Sequence, residues 1–452
     1  MTRSDAIAAI ATPIGEGGIS VIRISGQYSV PIAARVFKGA DLDAVPSHTV
    51  HFGRIMRGDV IVDEVLATVF RAPKSYTGED TVEISGHGGV LVTQLVLETI
   101  LAAGARPAEP GEFTQRAFLN GKLELSQAEA VADLIHARSR LAVKAAGQQL
   151  EGALGAMVRE FRQGIIDMTA LIELELDFVE EDVEFANRGQ VIALIEDLIT
   201  RIDALLATYE AGRLIKHGVR TVIAGRPNAG KSTLLNALMG KDRAIVSPVA
   251  GTTRDVIEAE WSHEGVRFIL TDTAGLRDTA DAIEAEGVRR SEKAMADADL
   301  IVLLHDVTQE TGPDEEALWA GIRARHADVA MLLIGNKADL APATELSRFD
   351  LVVSAASGAQ LAHLMDAMKA AVLGNRNLDA GGLLITTSRH RDALAKTRAH
   401  LESALDAVKT GKAGDFTAID LRAALHELGT LTGQITTEDL LDSIFSRFCI
   451  GK

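Results

Sequence analysis

Apolar positions follow two different periods along this chain. Up to about residue 120 they form short Val- and Ile-rich runs bounded by Gly or Pro, among them "VIRIS", "DVIVDEVLATVF" and "TVEIS". Runs of that kind predict strands. One longer stretch, "VLVTQLVLETILAAG", predicts a helix ending at Gly104, a residue type that caps helices well. From Gly121 to about Lys216 the apolar residues recur every three or four positions. "LSQAEAVADLIHARSRLAVKAAGQQL" and "VIALIEDLITRIDALLATY" predict amphipathic helices. The acidic run "DFVEEDVEF" between them predicts a solvated loop rather than a metal site.

From His217 the pattern changes again. "RTVIAG", "VRFILTD", "DLIVLLHD", "AMLLIGNK" and "DLVVSA" are continuous apolar runs separated by helix-like segments, which suits a buried parallel sheet. After about Leu373 helices return with "RDALAKTRAHLESALDAV" and "TEDLLDSIFSRF". Helical sequence on both sides of an α/β unit predicts a discontinuous helical domain with the α/β unit inserted into it, because the ends of a compact domain are often close together. The predicted fold is therefore multidomain: α+β over 1–120, all-α over 121–216 and 374–452, and an inserted α/β domain over 217–373.

Composition agrees with a globular chain. At 452 residues the length suggests about three domains. The mean hydropathy of +0.13 is high, yet charge or Gly/Pro interrupts every apolar stretch before spanning length, so no membrane segment is expected. The opening "MTRSDAIAAIATPIG" imitates a signal peptide but lacks a cleavage pattern and runs into the strand-like "GISVIRISG", so folded protein is expected there. A single cysteine, Cys449, excludes an internal disulfide framework and suits a reducing, cytoplasmic location. The net charge of −17 argues against nucleic-acid binding through the bulk field, so any RNA contact must be local or shared with a partner.

The α/β region carries the clearest chemistry. "GRPNAGKS", Gly225 to Ser232, fits the phosphate-loop pattern and sits between an apolar strand and a helix, the context that motif needs. Loop N–H groups would cradle the β-phosphate, Lys231 would reach the β- and γ-phosphates, and the Ser232 hydroxyl would bind Mg²⁺. "DTAG" places Asp272 at a strand end where it can reach the Mg²⁺ shell through water, with the Gly275 N–H facing the γ-phosphate. "NKAD" supplies Asn336 and Asp339, whose carboxylate can accept from both nitrogens of a guanine edge. "SAA" from Ser354 offers a backbone contact to the guanine carbonyl. Thr253 in "SPVAGTTRD" is the natural second hydroxyl ligand of Mg²⁺ from a switch loop. Arg254 and Asp255 beside it read equally as switch contacts or surface charges. The full predicted GTP-binding set adds Asn228, Ala229, Gly230, Thr233, Thr273, Ala274, Lys337 and Ala355 from the same motifs. One feature resists this pattern: many regulatory GTPases place a water-orienting glutamine after the Asp-Thr-Ala-Gly motif, and here that position is Leu276.

Together with "ATPIGEGGISVIRISG", "SYTGEDTVEISGHGG", "PGEFTQRAFLNGKLELSQAEA" and the terminal "FCIGK", these motifs closely resemble the tRNA modification GTPase MnmE (TrmE) family over essentially the whole chain. The resemblance implies an N-terminal tetrahydrofolate-binding and dimerisation domain, a discontinuous helical domain and an inserted G domain. It also implies an answer to Leu276, since family members carry a hydrophobic residue there and bring two G domains together when GTP and K⁺ are bound. On that pattern Asn228 donates its side-chain oxygen to K⁺, with carbonyls at Ser247, Val249 and Thr252 completing the cage and Ser247 and Thr252 joining the nucleotide site. Glu284 would be the water-orienting carboxylate. Asp278, Asp281 and Glu286 are acidic neighbours that the residues alone do not separate from it. Folate contacts, to a 5,10-methylene- or 5-formyl-tetrahydrofolate, would fall at Arg23, Glu83, Lys122 and Lys452.

The family acts as a homodimer, with a flavin-containing partner (MnmG, also called GidA), on the wobble uridine of tRNA. Glu16 in "GEGG" stands where family members carry arginine. Cys449 reads either as a buried helix residue or as a catalytic or positioning candidate beside the folate. Two other functions share the G-domain motifs: a ribosome-assembly or RNA-chaperone GTPase, for which no basic module is evident, and a stand-alone folate-dependent transferase regulated by GTP.

Overall fold

The computed structural model describes residues 5–177, 188–241, 259–270, 292–340, 346–374, 382–412 and 414–452. Chain order begins β1 (Ile7–Ile10), β2 (Gly17–Ser25), α1 (Ser29–Val36), β3 (Phe37–Lys38), β4 (Thr49–Arg57), β5 (Val60–Phe70), β6 (Thr81–Gly88), α2 (Val90–Ala102), β7 (Arg106–Pro107) and α3 (Glu112–Leu119). Helices follow: α4 (Leu125–His136), α5 (Arg140–Leu150), α6 (Ala153–Asp177), α7 (Arg188–Leu206) and α8 (Tyr209–His217). Next come β8 (Val219–Gly225), α9 (Lys231–Lys241), β9 (Ala259–His263), β10 (Val266–Leu270), β11 (Leu300–Asp306), α10 (Pro313–Arg325), β12 (Ala330–Asn336), β13 (Leu351–Val352) and α11 (Leu361–Leu373). The chain closes with α12 (Ser388–Lys409), α13 (Gly414–Thr432) and α14 (Glu438–Phe445). These elements form two compact units, one of Met1–Ala132, Gln149–Glu196 and Lys396–Lys452, the other of Asp133–Gln148 and Asp197–Ala395.

The first unit holds a seven-stranded sheet in the order β3-β4-β5-β6-β2-β1-β7. Period-two alternation puts Ile22, Ile24, Val65, Ala67, Val82 and Ile84 in a core with Val30 and Ala33 of α1 and Val96 and Ile100 of α2. The residues between them, Arg23 on β2 and Glu83 on β6, therefore fall on the opposite face, directly paired across the antiparallel ladder. A one-residue slip would bury both charges, so the apolar pattern enforces the register. Elsewhere in this unit Leu125, Ala128 and Val131 of α4 close a cluster with Leu441, Phe445 and Phe448.

The second unit holds a six-stranded sheet, β13-β12-β11-β8-β10-β9, parallel except for the β9 edge. In β11, Leu300, Val302 and Leu304 join one core while Ile301 and Leu303 join another on the far side. A strand covered on both faces has no solvent side, which is why its sequence is a continuous apolar run.

Three expectations changed. The helix read through 125–150 is two helices, because Ser139 stands between them and its Oγ accepts the Ala142 N–H at 3.1 Å, capping α5 instead of continuing α4. The strand "DLVVSA" shrinks to Leu351–Val352, since the residues after it turn to build a loop in which Gly358 N–H bonds the Ser354 carbonyl at 2.9 Å. Cys449 lies beyond α14 and is exposed, so it is not a buried helix residue. The strand β4 went unpredicted: its first half turns its apolar residues, Val50 and Phe52, to solvent, and a register shift between Ile55 and Met56 breaks its alternation.

Candidate functional site

The loop after β8 has the shape its glycines require. A Cβ on Gly225 would lie 2.3 Å from the Leu304 carbonyl oxygen, and one on Gly230 would lie 2.2 Å from Asn336 Nδ2. Gly230 also has φ +96°, which L side chains rarely adopt. Asn228 takes a left-handed φ of 64° at the exposed tip, a conformation that Asn tolerates better than most residues. Lys231 opens α9, and its Nζ donates to the carbonyls of Gly225 at 2.9 Å and Arg226 at 3.0 Å. Ser232 and Thr233 follow on the exposed first turn of α9, where helix N–H groups and the helix dipole favour an anion.

The base end is tied to the phosphate end by one buried side chain. Asn336, at the end of β12 and only 2% exposed, donates from Nδ2 to the Ala229 carbonyl at 2.8 Å. Its Oδ1 accepts the Ala355 N–H at 3.0 Å. Both amide ends are thus spent on backbone of the other two motifs, which sets their separation. Lys337, at φ 69°, donates to Asp306 Oδ2 at 2.6 Å. Burial raises the Asp306 carboxyl, but the bonds from Lys337 and Thr308 outweigh it and hold that group below the usual range. Asp339 is exposed, with one oxygen accepting from Ser354 Oγ at 2.5 Å.

The structure therefore gathers Asn228, Ala229, Gly230, Lys231, Asn336, Lys337, Asp339, Ser354 and Ala355 around one loop cluster. Ser247, Val249, Thr252, Thr253, Asp272, Thr273, Ala274, Gly275, Leu276 and Glu284 lie outside the described residues.

A second cluster forms on the N-terminal sheet. Arg23 Nε donates to Glu83 Oε1 at 2.8 Å. The guanidinium lies 5.2 Å from the centre of the Tyr76 ring and 5.6 Å from that of Phe113. Lys452 Nζ approaches the same Tyr76 ring at 5.9 Å. The chain end reaches that spot because Gly451, at φ +98°, passes so close to Ile10 that a Cβ would sit 2.2 Å from its carbonyl oxygen. Burial, then the nearby Arg23 charge, push the Lys452 amine below its usual range, with Glu83 opposing them. Lys122 points elsewhere: its Nζ donates to the Pro73 carbonyl at 3.0 Å and its stem packs under Gly78. Tyr76 and Phe113 went unnoticed in the sequence. Tyr76 sits inside the stretch "SYTGED", but nothing local announces that its ring faces a cation.

A strand–loop–helix phosphate site with a clasped base-recognition end, on a mostly parallel sheet, defines a P-loop GTPase. Family models match most of the chain: one described as "GTP-binding protein TrmE N-terminus" over residues 6–122 and one described as "MnmE helical domain" over 125–449. Proteins named tRNA modification GTPase MnmE are similar end to end. That of Salinibacter ruber is 46% identical over 461 residues, covering 100% of each chain. That of Moorella thermoacetica is 46% identical over 466 residues, covering 99% of each. Among solved structures, the FeoB G-domain from Methanococcus jannaschii is 26% identical over 34% of this chain and 97% of its own, at a TM-score of 0.25. The chain belongs to the tRNA modification GTPase MnmE family. Its enzymatic class is GTP hydrolase, with Mg²⁺ the cofactor that class implies. Among the described residues no helix is long and apolar enough to cross a membrane.

Proposed function

We propose that this chain hydrolyses GTP in a K⁺-stimulated reaction and couples it to carbon-5 aminomethyl-type modification of the tRNA wobble uridine. The flavin-containing enzyme MnmG is the partner in that chemistry, and the one-carbon unit comes from 5,10-methylene-tetrahydrofolate. The observation that carries the GTPase half is the Asn336 clasp, which holds the phosphate loop and the base loop at a set separation. Mg²⁺ would be held by Ser232 and Thr253, with Asp272 acting through water. Asn228 suits K⁺ because it is exposed at the loop tip and can offer only an oxygen to a cation, with Ser247, Val249 and Thr252 supplying carbonyls. A monovalent cation there supplies the positive charge that an arginine finger supplies elsewhere, and Glu284 would orient the water.

The N-terminal cluster fits a folate. Arg23 Nη1 is buried and has no hydrogen-bond partner among the described residues, so a donor waits for an acceptor. Two cations, Arg23 and Lys452, crowd one carboxylate, Glu83, and an anionic glutamate tail would relieve the imbalance. Lys122 joins the proposed contact set through the family resemblance alone, since its Nζ is bonded to the Pro73 carbonyl. Exposed Cys449, the fourth residue from the chain end, remains a candidate for contact with that ligand. The net charge of −17 leaves tRNA binding to local surfaces or to the partner.

The experiment is GTP turnover in KCl against NaCl at equal ionic strength, for the intact chain and for Asn228→Lys. K⁺ should accelerate hydrolysis at least about tenfold, and the variant should lose that gain. Equal rates in the two salts would remove the cation cage from the mechanism.

A further inference from the structure

We infer that Glu315, held in place by His305, is a positioning residue for the phosphate loop and acts through Arg226. His305 ends the apolar run of β11 and is 3% exposed; Glu315, in the first turn of α10, is 2% exposed. His305 Nε2 donates to the Gln309 carbonyl at 3.1 Å. A carbonyl can only accept, so that nitrogen carries a proton. Nδ1 lies 3.0 Å from Glu315 Oε1, so one further proton is shared between ring and carboxyl. The ring cannot turn away, since it stacks on Phe349 at 5.4 Å and meets Trp319 edge-on at 5.7 Å.

Held this way, Glu315 presents its second oxygen to a single place. Oε2 is buried, makes no hydrogen bond among the described residues, and has Arg226 Nε at 3.6 Å. Arg226 is the second residue of the phosphate loop, and its carbonyl accepts from both Lys231 Nζ and the Ala229 N–H. The chain His305–Glu315–Arg226 therefore reaches the backbone on which the phosphate-binding lysine is docked. The next residue along β11, Asp306, holds Lys337 of the guanine motif. The end of one strand thus braces both halves of the nucleotide site. The role is to preset the loop for GTP, so it belongs in binding rather than in bond breaking. It rests on the GTPase assignment alone and not on the K⁺ reading.

The test is steady-state GTP hydrolysis by the full chain at saturating Mg²⁺ and K⁺ for Arg226→Gln, Glu315→Gln and the double variant. Turnover by the unaltered chain checks the GTPase assignment separately. Each single change should raise KM roughly fivefold with kcat within about twofold, and the double should be no worse than the worse single. Multiplying effects in the double, or an unchanged KM in folded Glu315→Gln, would overturn the inference. Because Glu315 is buried, Arg226→Lys provides a second route that does not depend on that variant folding. Recovery of KM by lysine relative to glutamine supports a charge contact with Glu315. Lysine as poor as glutamine rejects it.

Discussion

His87 shows how a single contact sets a titration. Its side chain is 73% exposed, yet Nδ1 lies 2.6 Å from Oδ1 of the buried Asp63, whose Oδ2 accepts the His87 N–H. The hydrogen bond to Asp63, followed by that residue's charge, raises the imidazole above its ordinary pKa. A raised folded pKa means the contact stabilises fully below the unfolded value of about 6.5 and is lost as pH rises through the folded value. Histidine-selective NMR should find His87 titrating higher in the unaltered chain than in Asp63→Asn. The difference in melting temperature between the two should be larger at pH 6 than at pH 8.5. Identical titration in both would exclude Asp63 as the cause. The "SGHGG" stretch was visible in the sequence, but its acid partner lies 24 positions away and only strand pairing reveals it.

Helix α3 shows how a short element is fastened by charge. Glu112 accepts from Arg106 at 2.6 Å, from Arg116 at 2.9 Å and from the Glu109 N–H at 2.9 Å, while Asp5 bonds both arginines. Burial raises the Glu112 carboxyl, but the two arginines and the backbone donor together bring it below its usual value. Its contribution is therefore present above the unfolded pKa and fades as pH falls through the lower folded value. Removing one partner leaves buried charges uncompensated, so Glu112→Ala should cost about 3–5 kcal/mol. Both tryptophans, Trp261 and Trp319, belong to the other compact unit. A urea transition followed by circular dichroism should shift, and one followed by tryptophan fluorescence should hold its midpoint. Equal shifts in both signals would mean the network is not a local fastening. The same helix carries Phe113 beneath Arg23, so its anchoring also bears on the folate cluster.

Among the described residues, β4 and β5 expose apolar side chains on one sheet face. Phe52 on β4 and Leu66 on β5 are cross-strand partners, 66% and 46% exposed, with Val50 nearby on the same strand. Apolar side chains adjoining on one sheet face favour association with a second copy, which accords with the proposed homodimer. Sedimentation at micromolar concentration should show a dimer for the intact chain and a monomer for Phe52→Asp. A dimer that persists in the variant would place the contact on another surface.

The linear pattern by itself determined β2, β5 and β6 of the first sheet, the parallel strands of the second, and the residues of the phosphate and guanine motifs. Each of those motifs is contiguous, so its residues reach the site together, and a glycine-rich loop entering a helix N-terminus favours a phosphate. Helix ends were less legible, because a Ser hydroxyl can cap a new helix or face solvent within a continuing one, as at Ser139. Tertiary structure alone decided which distant side chains meet. The register of β2 against β6 pairs Arg23 with Glu83, the chain terminus brings in Lys452, and Asn336 finds both of its loops. His305 looks in sequence like a polar interruption of an apolar strand. Folding buries it against Glu315, and the cost of leaving two buried polar groups unpaired is what makes that contact specific.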